Sequence, residues 1–137
     1  LVVEKQTIER RLFKLEQSLR KLKELSKVSW DEYVKDEGLQ DRAERNLQIA
    51  AQLCIDIGSH VIADRGYRPP YGYGDIFAVL MEEGLLPEAL ANTMKQIAGF
   101  RNVLVHDYLD IDPKIVYDSL KKIDDFKMFA KHVLAWL

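Results

Sequence analysis

Between about Val3 and Leu25 the side chains of Ile8, Leu12, Leu15, Leu19 and Leu22 recur at steps of four and three, with Lys, Arg and Glu between them. That spacing predicts an amphipathic helix with one buried face. Glu4, Glu9, Glu16 and Glu24 interleave with the cations on the other side, so that face reads as solvated rather than as a nucleic-acid surface. Ser29-Trp30-Asp31-Glu32 has the form of a capping box and predicts a short helical turn, which Gly38 is expected to end. A long helix is predicted from Asp41 to about Asp64, stopped by Arg65-Gly66. Leu47, Ala50, Cys54, Ile57 and Val61 line one of its faces, and Ile49, Leu53, Ile55 and Ile62 lie elsewhere around it. Apolar on most sides, it is either the central helix of a bundle or part of an oligomer interface.

Residues 65–74, RGYRPPYGYG, are too rich in Gly and Pro for helix or central strand and form a loop. Arg68 and the three tyrosines have two readings: a base-stacking or phosphate-cupping surface, or, the simpler one, a turn whose aromatics pack back on the bundle. Asp75 is expected to cap a helix through about Glu83 that Gly84 closes. Pro87 suits the first turn of the next helix, which fades near Tyr108. Asp112-Pro113 then pairs an N-cap with proline at the first helical position, and Val116, Leu120, Ile123, Phe126, Ala130, Val133 and Leu137 keep seam spacing to the end. No alternating strand pattern and no internal repeat is present. The expected fold is an all-α bundle of four or five helices in one domain spanning residues 1–137.

Composition narrows the function classes. At 137 residues and 47% hydrophobic content the chain supports a core without covalent staples. Twenty basic against 22 acidic side chains give a net charge of −2, which argues against binding long nucleic acid through bulk electrostatics. Any RNA contact must be local, made by a few positioned cations. Cys54 is the single cysteine, so there is no intrachain disulfide and no cysteine cluster for zinc. With no signal-peptide pattern and no apolar run near the ~20 residues of a membrane span, the expected location is the cytoplasm, without membrane association.

Candidate chemistry concentrates in Phe100-Arg101-Asn102-Val103-Leu104-Val105-His106-Asp107-Tyr108. Leu90, Met94, Ile97, Arg101, Leu104 and Tyr108 follow the alternating steps of a core-facing seam, with Arg101 where a leucine is expected. Phe100 is placed to take over the seam and leave Arg101 on its flank. A guanidinium at such an edge keeps its charge and needs a carboxylate or phosphate partner. Asn102 and His106 share a face at i,i+4, and Arg101 and Tyr108 another at i,i+7. Arg101 and His106 point apart on an unbroken helix. They converge only if the helix loosens near Val105 or a second chain supplies one of them. Elsewhere, Asp56 and His60 at i,i+4 read as a polar pair at the edge of the buried surface, with a second catalytic histidine as the sharper alternative. Cys54 reads as a core residue. His60, His106 and His132 form no metal-binding pattern, and no cofactor is expected.

The run Arg101-Asn102-Val103-Leu104-Val105-His106-Asp107-Tyr108 resembles the R-x4-H-x-Y motif of the HEPN superfamily, specifically the HepT-like toxins of toxin–antitoxin pairs. The similarity spans most of the chain, including residues 51–62, Tyr73-Gly74-Asp75-Ile76-Phe77, Glu83-Gly84-Leu85-Leu86 and Asp125-Phe126. It implies a helical domain acting as a homodimer or a higher assembly of dimers, with metal-independent cleavage of RNA. Arg101 and His106 become the ribonuclease residues and Asn102 the supporting polar residue. Tyr108 becomes the acceptor of AMP from an MNT-type nucleotidyltransferase antitoxin, as in a type VII-like system. The alternative function is a non-catalytic helical module that docks the nucleotidyltransferase and accepts nucleotide. A third, purely structural reading has Arg101 paired with a carboxylate such as Asp107 of another copy, His106 at a helix end and Tyr108 as packing.

Overall fold

The computed structural model describes residues 2–137, with side chains from Lys5 onward; Glu4, one of the glutamates expected on the first helix's solvated face, lies outside the described side chains. Seven α-helices follow in order: α1 (Val2–Leu25), α2 (Trp30–Lys35), α3 (Glu37–Arg65), α4 (Tyr73–Glu82), α5 (Glu88–His106), α6 (Pro113–Ser119) and α7 (Ile123–Trp136), with single 3-10 turns at Tyr108–Asp110 and Leu120–Lys122. The described residues contain no strand, and the all-α expectation holds.

The core is assembled from the faces that the periodicity marks. Ile8, Leu15, Leu19 and Leu22 of α1 are buried, while Leu12 is half-buried. On α3, Leu47, Ala50, Cys54, Ile57 and Val61 are buried, as are Ile55 and Ile62 around its circumference. Of the two roles open to that helix the structure shows the central one, because α3 packs against α1, α4, α5, α6 and α7. Its approach to α4 is closest at Gly58. A Cβ there would lie 2.5 Å from Ile76 Cγ2, so only glycine lets the two helices meet at that distance. Burial pushes the Cys54 thiol up, as befits an inert core residue.

Several boundaries depart from the expected ones. Ser29 caps α2, accepting from the Glu32 N–H at 3.2 Å, but α2 ends at Lys35 and Gly38 ends nothing. Asp36 instead accepts from the Leu39 N–H at 3.2 Å and starts α3 at Glu37, four residues before Asp41, with Gly38 inside the first turn. Pro87 sits one position ahead of α5 rather than in its first turn. The closing helix is two. Leu120, Ile123 and Phe126 are all buried at three-residue steps, and a 3-10 turn over Leu120–Lys122, which brings i and i+3 into line, separates α6 from α7.

Candidate functional site

The geometry of the site begins with where α5 stops. The helix runs unbroken through His106, and the Asp107 N–H still donates to the Val103 carbonyl at 2.9 Å. The Asp110 N–H then closes a 3-10 turn onto the Asp107 carbonyl at 3.0 Å. The helix does not loosen near Val105, so Arg101 and His106 remain about 140° apart around one cylinder. Tyr108 leaves the seam, because it lies beyond the helix; it is 68% exposed, and the i,i+7 face it was expected to share with Arg101 does not form.

The core face of α5 is made by Leu90, Ala91, Met94, Ala98 and Leu104. Phe100 packs partly against the core and Arg101 is half-buried beside it, on the flank of the seam. Asn102 and His106, one turn apart, are both exposed. The Arg101 guanidinium has three distinct environments. Nη1 donates to Asn102 Oδ1 at 3.0 Å. Nε is buried without an acceptor. The group as a whole lies over the ring of Tyr73 on α4, 5.2 Å from its centroid. No described carboxylate pairs with Arg101, so the anion that its position calls for is not supplied from within the described chain.

Tyr73 is held in place by the loop. Arg68 reaches Asp75 through Nη1 at 2.8 Å and Nη2 at 3.1 Å, and Glu82 through Nε and Nη2, each at 2.9 Å. The Tyr71 N–H donates to Asp75 Oδ2 at 2.9 Å. Asp75 therefore does not cap α4 from outside, as its sequence position was read. It sits in the first turn and reaches back, while α4 starts at Tyr73 after an extended Gly72. The Arg68 hydrogen bonds, joined by the Tyr71 N–H, hold the Asp75 carboxyl down at about 2, and Arg68 lowers Glu82 in the same way. An Arg68 whose three nitrogens are already engaged by two carboxylates is a clasp, its charge already matched, rather than a phosphate cup. Of the three tyrosines, Tyr67 packs on the core, Tyr71 is 94% exposed and Tyr73 serves Arg101, so the aromatics pack back only in part.

Tyr73 and Asp75 are the participants that sequence reasoning missed in this role. Nothing in the periodicity of α4 or α5 links Tyr73 to Arg101; the pairing exists only once the two helices pack. At the other candidate pair, Asp56 accepts from Gln52 Nε2 at 2.9 Å within α3. Among the described residues no group of three or more His, Cys, Asp or Glu side chains could hold a metal ion, and no helix is long and apolar enough to cross a membrane. A groove of about 660 Å³ between α1 and α7 is lined by none of the motif residues.

Residues 15–133 match the protein-family model described as Ribonuclease HepT-like. The chain is 30% identical over 117 residues to the mRNA nuclease HepT of Shewanella oneidensis, covering 83% of this chain and 88% of that protein. It is 29% identical over 136 residues to the tRNA nuclease HepT of Aphanizomenon flos-aquae, covering 98% and 92%. Among solved structures, the tri-AMPylated Shewanella oneidensis HEPN toxin in complex with MNT antitoxin superposes with a TM-score of 0.86 at 26% identity, covering 93% of this chain and 96% of the other.

Proposed function

The chain belongs to the HepT-like ribonuclease family, the toxin half of toxin–antitoxin pairs, and from that premise we propose that it cleaves RNA at a composite site formed by Arg101 and His106 of two copies. The observation that carries this reading is the unbroken α5. Arg101 and His106 of one copy diverge on it, and two helices facing each other across a two-fold axis bring each arginine toward the partner's histidine. The half-buried Arg101, lacking any described carboxylate, is suited to the phosphate. Residues 1–137 act as one domain in this reading, which the single cluster of buried side chains supports.

The chemistry needs no group beyond these. The ribose 2′-oxygen bonds to the adjacent phosphorus and gives its proton to a neutral imidazole. The bond from phosphorus to the 5′-oxygen breaks, and a protonated imidazole supplies that leaving oxygen with its proton. The products are a 2′,3′-cyclic phosphate and a 5′-hydroxyl. One imidazole cannot be both base and acid in the same step, whereas a dimer carries two copies of His106. Arg101 meets the charge that grows on the phosphate oxygens, and Asn102 holds Nη1 of that arginine. No step is routed through a metal ion, so cleavage survives EDTA. Relatives named for mRNA and for tRNA cleavage make RNA the substrate class without fixing the target.

Control follows from Tyr108. Its exposed phenol lies beyond the helix end, where another enzyme reaches it. A nucleotidyltransferase antitoxin of the MNT type would join the phenol oxygen to the α-phosphorus of ATP and release pyrophosphate, placing an anion beside the site. A cytoplasmic location suits a ribonuclease whose one thiol is free. The test is cleavage of an RNA pool by His106→Ala and Arg101→Ala proteins and by wild type on a 2′-deoxy substrate. Loss of cleavage in all three, on the order of 10²–10⁴-fold for the histidine, is the expected outcome. Wild-type rates in His106→Ala would overturn the reading in favour of a non-catalytic, nucleotide-accepting module.

A further inference from the structure

Arg101 has an unusual environment for a surface arginine. It is half-buried and lies over an aromatic face; its Nε is enclosed without an acceptor, and no described carboxylate shares its charge. A buried donor left unpaired is costly, and such groups persist where the surroundings impose them. The imposing surface is the ring of Tyr73. It offers the guanidinium electrostatic attraction without using up a nitrogen, which a carboxylate partner would do.

Tyr73 is itself braced on both sides. Two residues earlier, the Tyr71 N–H is taken by Asp75 at 2.9 Å; two residues later, Asp75 is gripped by Arg68, which also forks onto Glu82 one helical stretch further along α4. The ring therefore stands at the start of α4 on a segment with little freedom to move. Asn102 fixes Nη1 from the α5 side. Together the two contacts leave Nη2 without a hydrogen bond among the described residues.

We propose that Tyr73 is the positioning residue of the ribonuclease site: its ring, braced by the Arg68–Asp75–Glu82 clasp, holds the Arg101 guanidinium in one orientation so that Nη2 is kept for the RNA phosphate. This rests on the ribonuclease reading above. An unheld arginine must give up the freedom of its long side chain each time the transition state forms. Holding it beforehand lowers that cost at the step where phosphate charge is greatest, so the benefit falls on kcat more than on KM. The ring is what matters, not the hydroxyl.

Steady-state cleavage of an RNA pool by the full-length protein separates the possibilities. Tyr73→Leu removes the π face while keeping an apolar side chain at a position that is 42% exposed, so the core is untouched. It is expected to lower kcat by about tenfold or more, with a smaller change in KM. Tyr73→Phe is expected to retain wild-type kcat. Arg68→Gln, which keeps the Tyr73 ring but opens the clasp that braces it, should lower kcat in the same direction, and an unchanged kcat would overturn the bracing role of the clasp. In an Arg101→Lys background, where no planar guanidinium remains to be oriented, Tyr73→Leu should add no further loss. Equal losses in Tyr73→Leu and Tyr73→Phe, or an undiminished Tyr73→Leu effect in the Arg101→Lys background, overturn the positioning role. So does a wild-type kcat in Tyr73→Leu when Arg101→Ala is inactive, an outcome that leaves the ribonuclease reading standing. A fully active Arg101→Ala removes that reading itself.

Discussion

Arg101 and Asn102 are adjacent in sequence and bonded in the structure, and the exposed His106 lies one turn beyond Asn102 on the same helix. This contiguity is why the motif residues stood out as candidates: three polar side chains on one amphipathic helix violate its pattern visibly. Tyr73 was not legible, because an aromatic at the start of a helix is ordinarily packing, and its contact with Arg101 crosses between two helices. Tyr108 was legible as a candidate and, from the fading of its helix ahead of Asp112-Pro113, as a solvent-reachable phenol, although seam spacing alone would have pointed it inward. The end of α5 at His106 turns it outward instead. That exposure supports a prediction at this scale. Incubated with ATP, Mg²⁺ and a cognate nucleotidyltransferase, the wild-type chain should gain the mass of one or more AMP groups, and Tyr108→Phe should gain none. Equal gains in both proteins place the modification on another residue.

At the scale of elements, helix existence was legible and helix boundaries were less so. Hydrophobic periodicity found α1, α3, α4 and α5 because each buries one broad stripe against the others. Boundaries turned on side-chain hydrogen bonds that compete locally: Asp36 wins the start of α3 over Asp41, and Asp75 reaches back to Tyr71 instead of capping from outside. The left-handed Gly66 and Gly84, at φ +68° and +76°, close α3 and α4 where the sequence placed the stops. The loop between those helices was read as a turn, but its clasp was invisible because Arg68 meets partners on both sides of a turn of α4. The clasp has a pH signature. Asp75 has its folded pKa lowered to about 2, below its usual value of 3.8, first by the Arg68 hydrogen bonds and then by the Tyr71 N–H. A lowered folded pKa means stabilisation present above the unfolded value and lost as pH falls through the folded one. The gap in melting temperature between wild type and Asp75→Asn should therefore be constant above about pH 4 and close as pH falls toward 2. A gap that persists unchanged at the acid end would show that the carboxylate charge is not what holds the loop.

The whole molecule is an all-α bundle around α3, as the sequence pattern indicated, with a net charge of −2 that leaves RNA recognition to a few placed cations. The offset between Arg101 and His106 called for a loosened helix or a second copy, and the unbroken α5 removes the first of these, which supports the proposed assembly of two copies. What a single chain's sequence could not supply is the relative placement of two copies, since that depends on surfaces meeting rather than on any one helix face. The most direct measurement is therefore subunit mixing. Wild-type and His106→Ala chains are combined in fixed ratios, allowed to exchange partners, and assayed for RNA cleavage at constant total protein. A site that needs one histidine from each copy predicts activity falling as the square of the wild-type fraction, because every mixed pair is inactive. Activity falling in direct proportion to that fraction would mean that one histidine suffices at each site, and the requirement for a histidine from both copies would be contradicted.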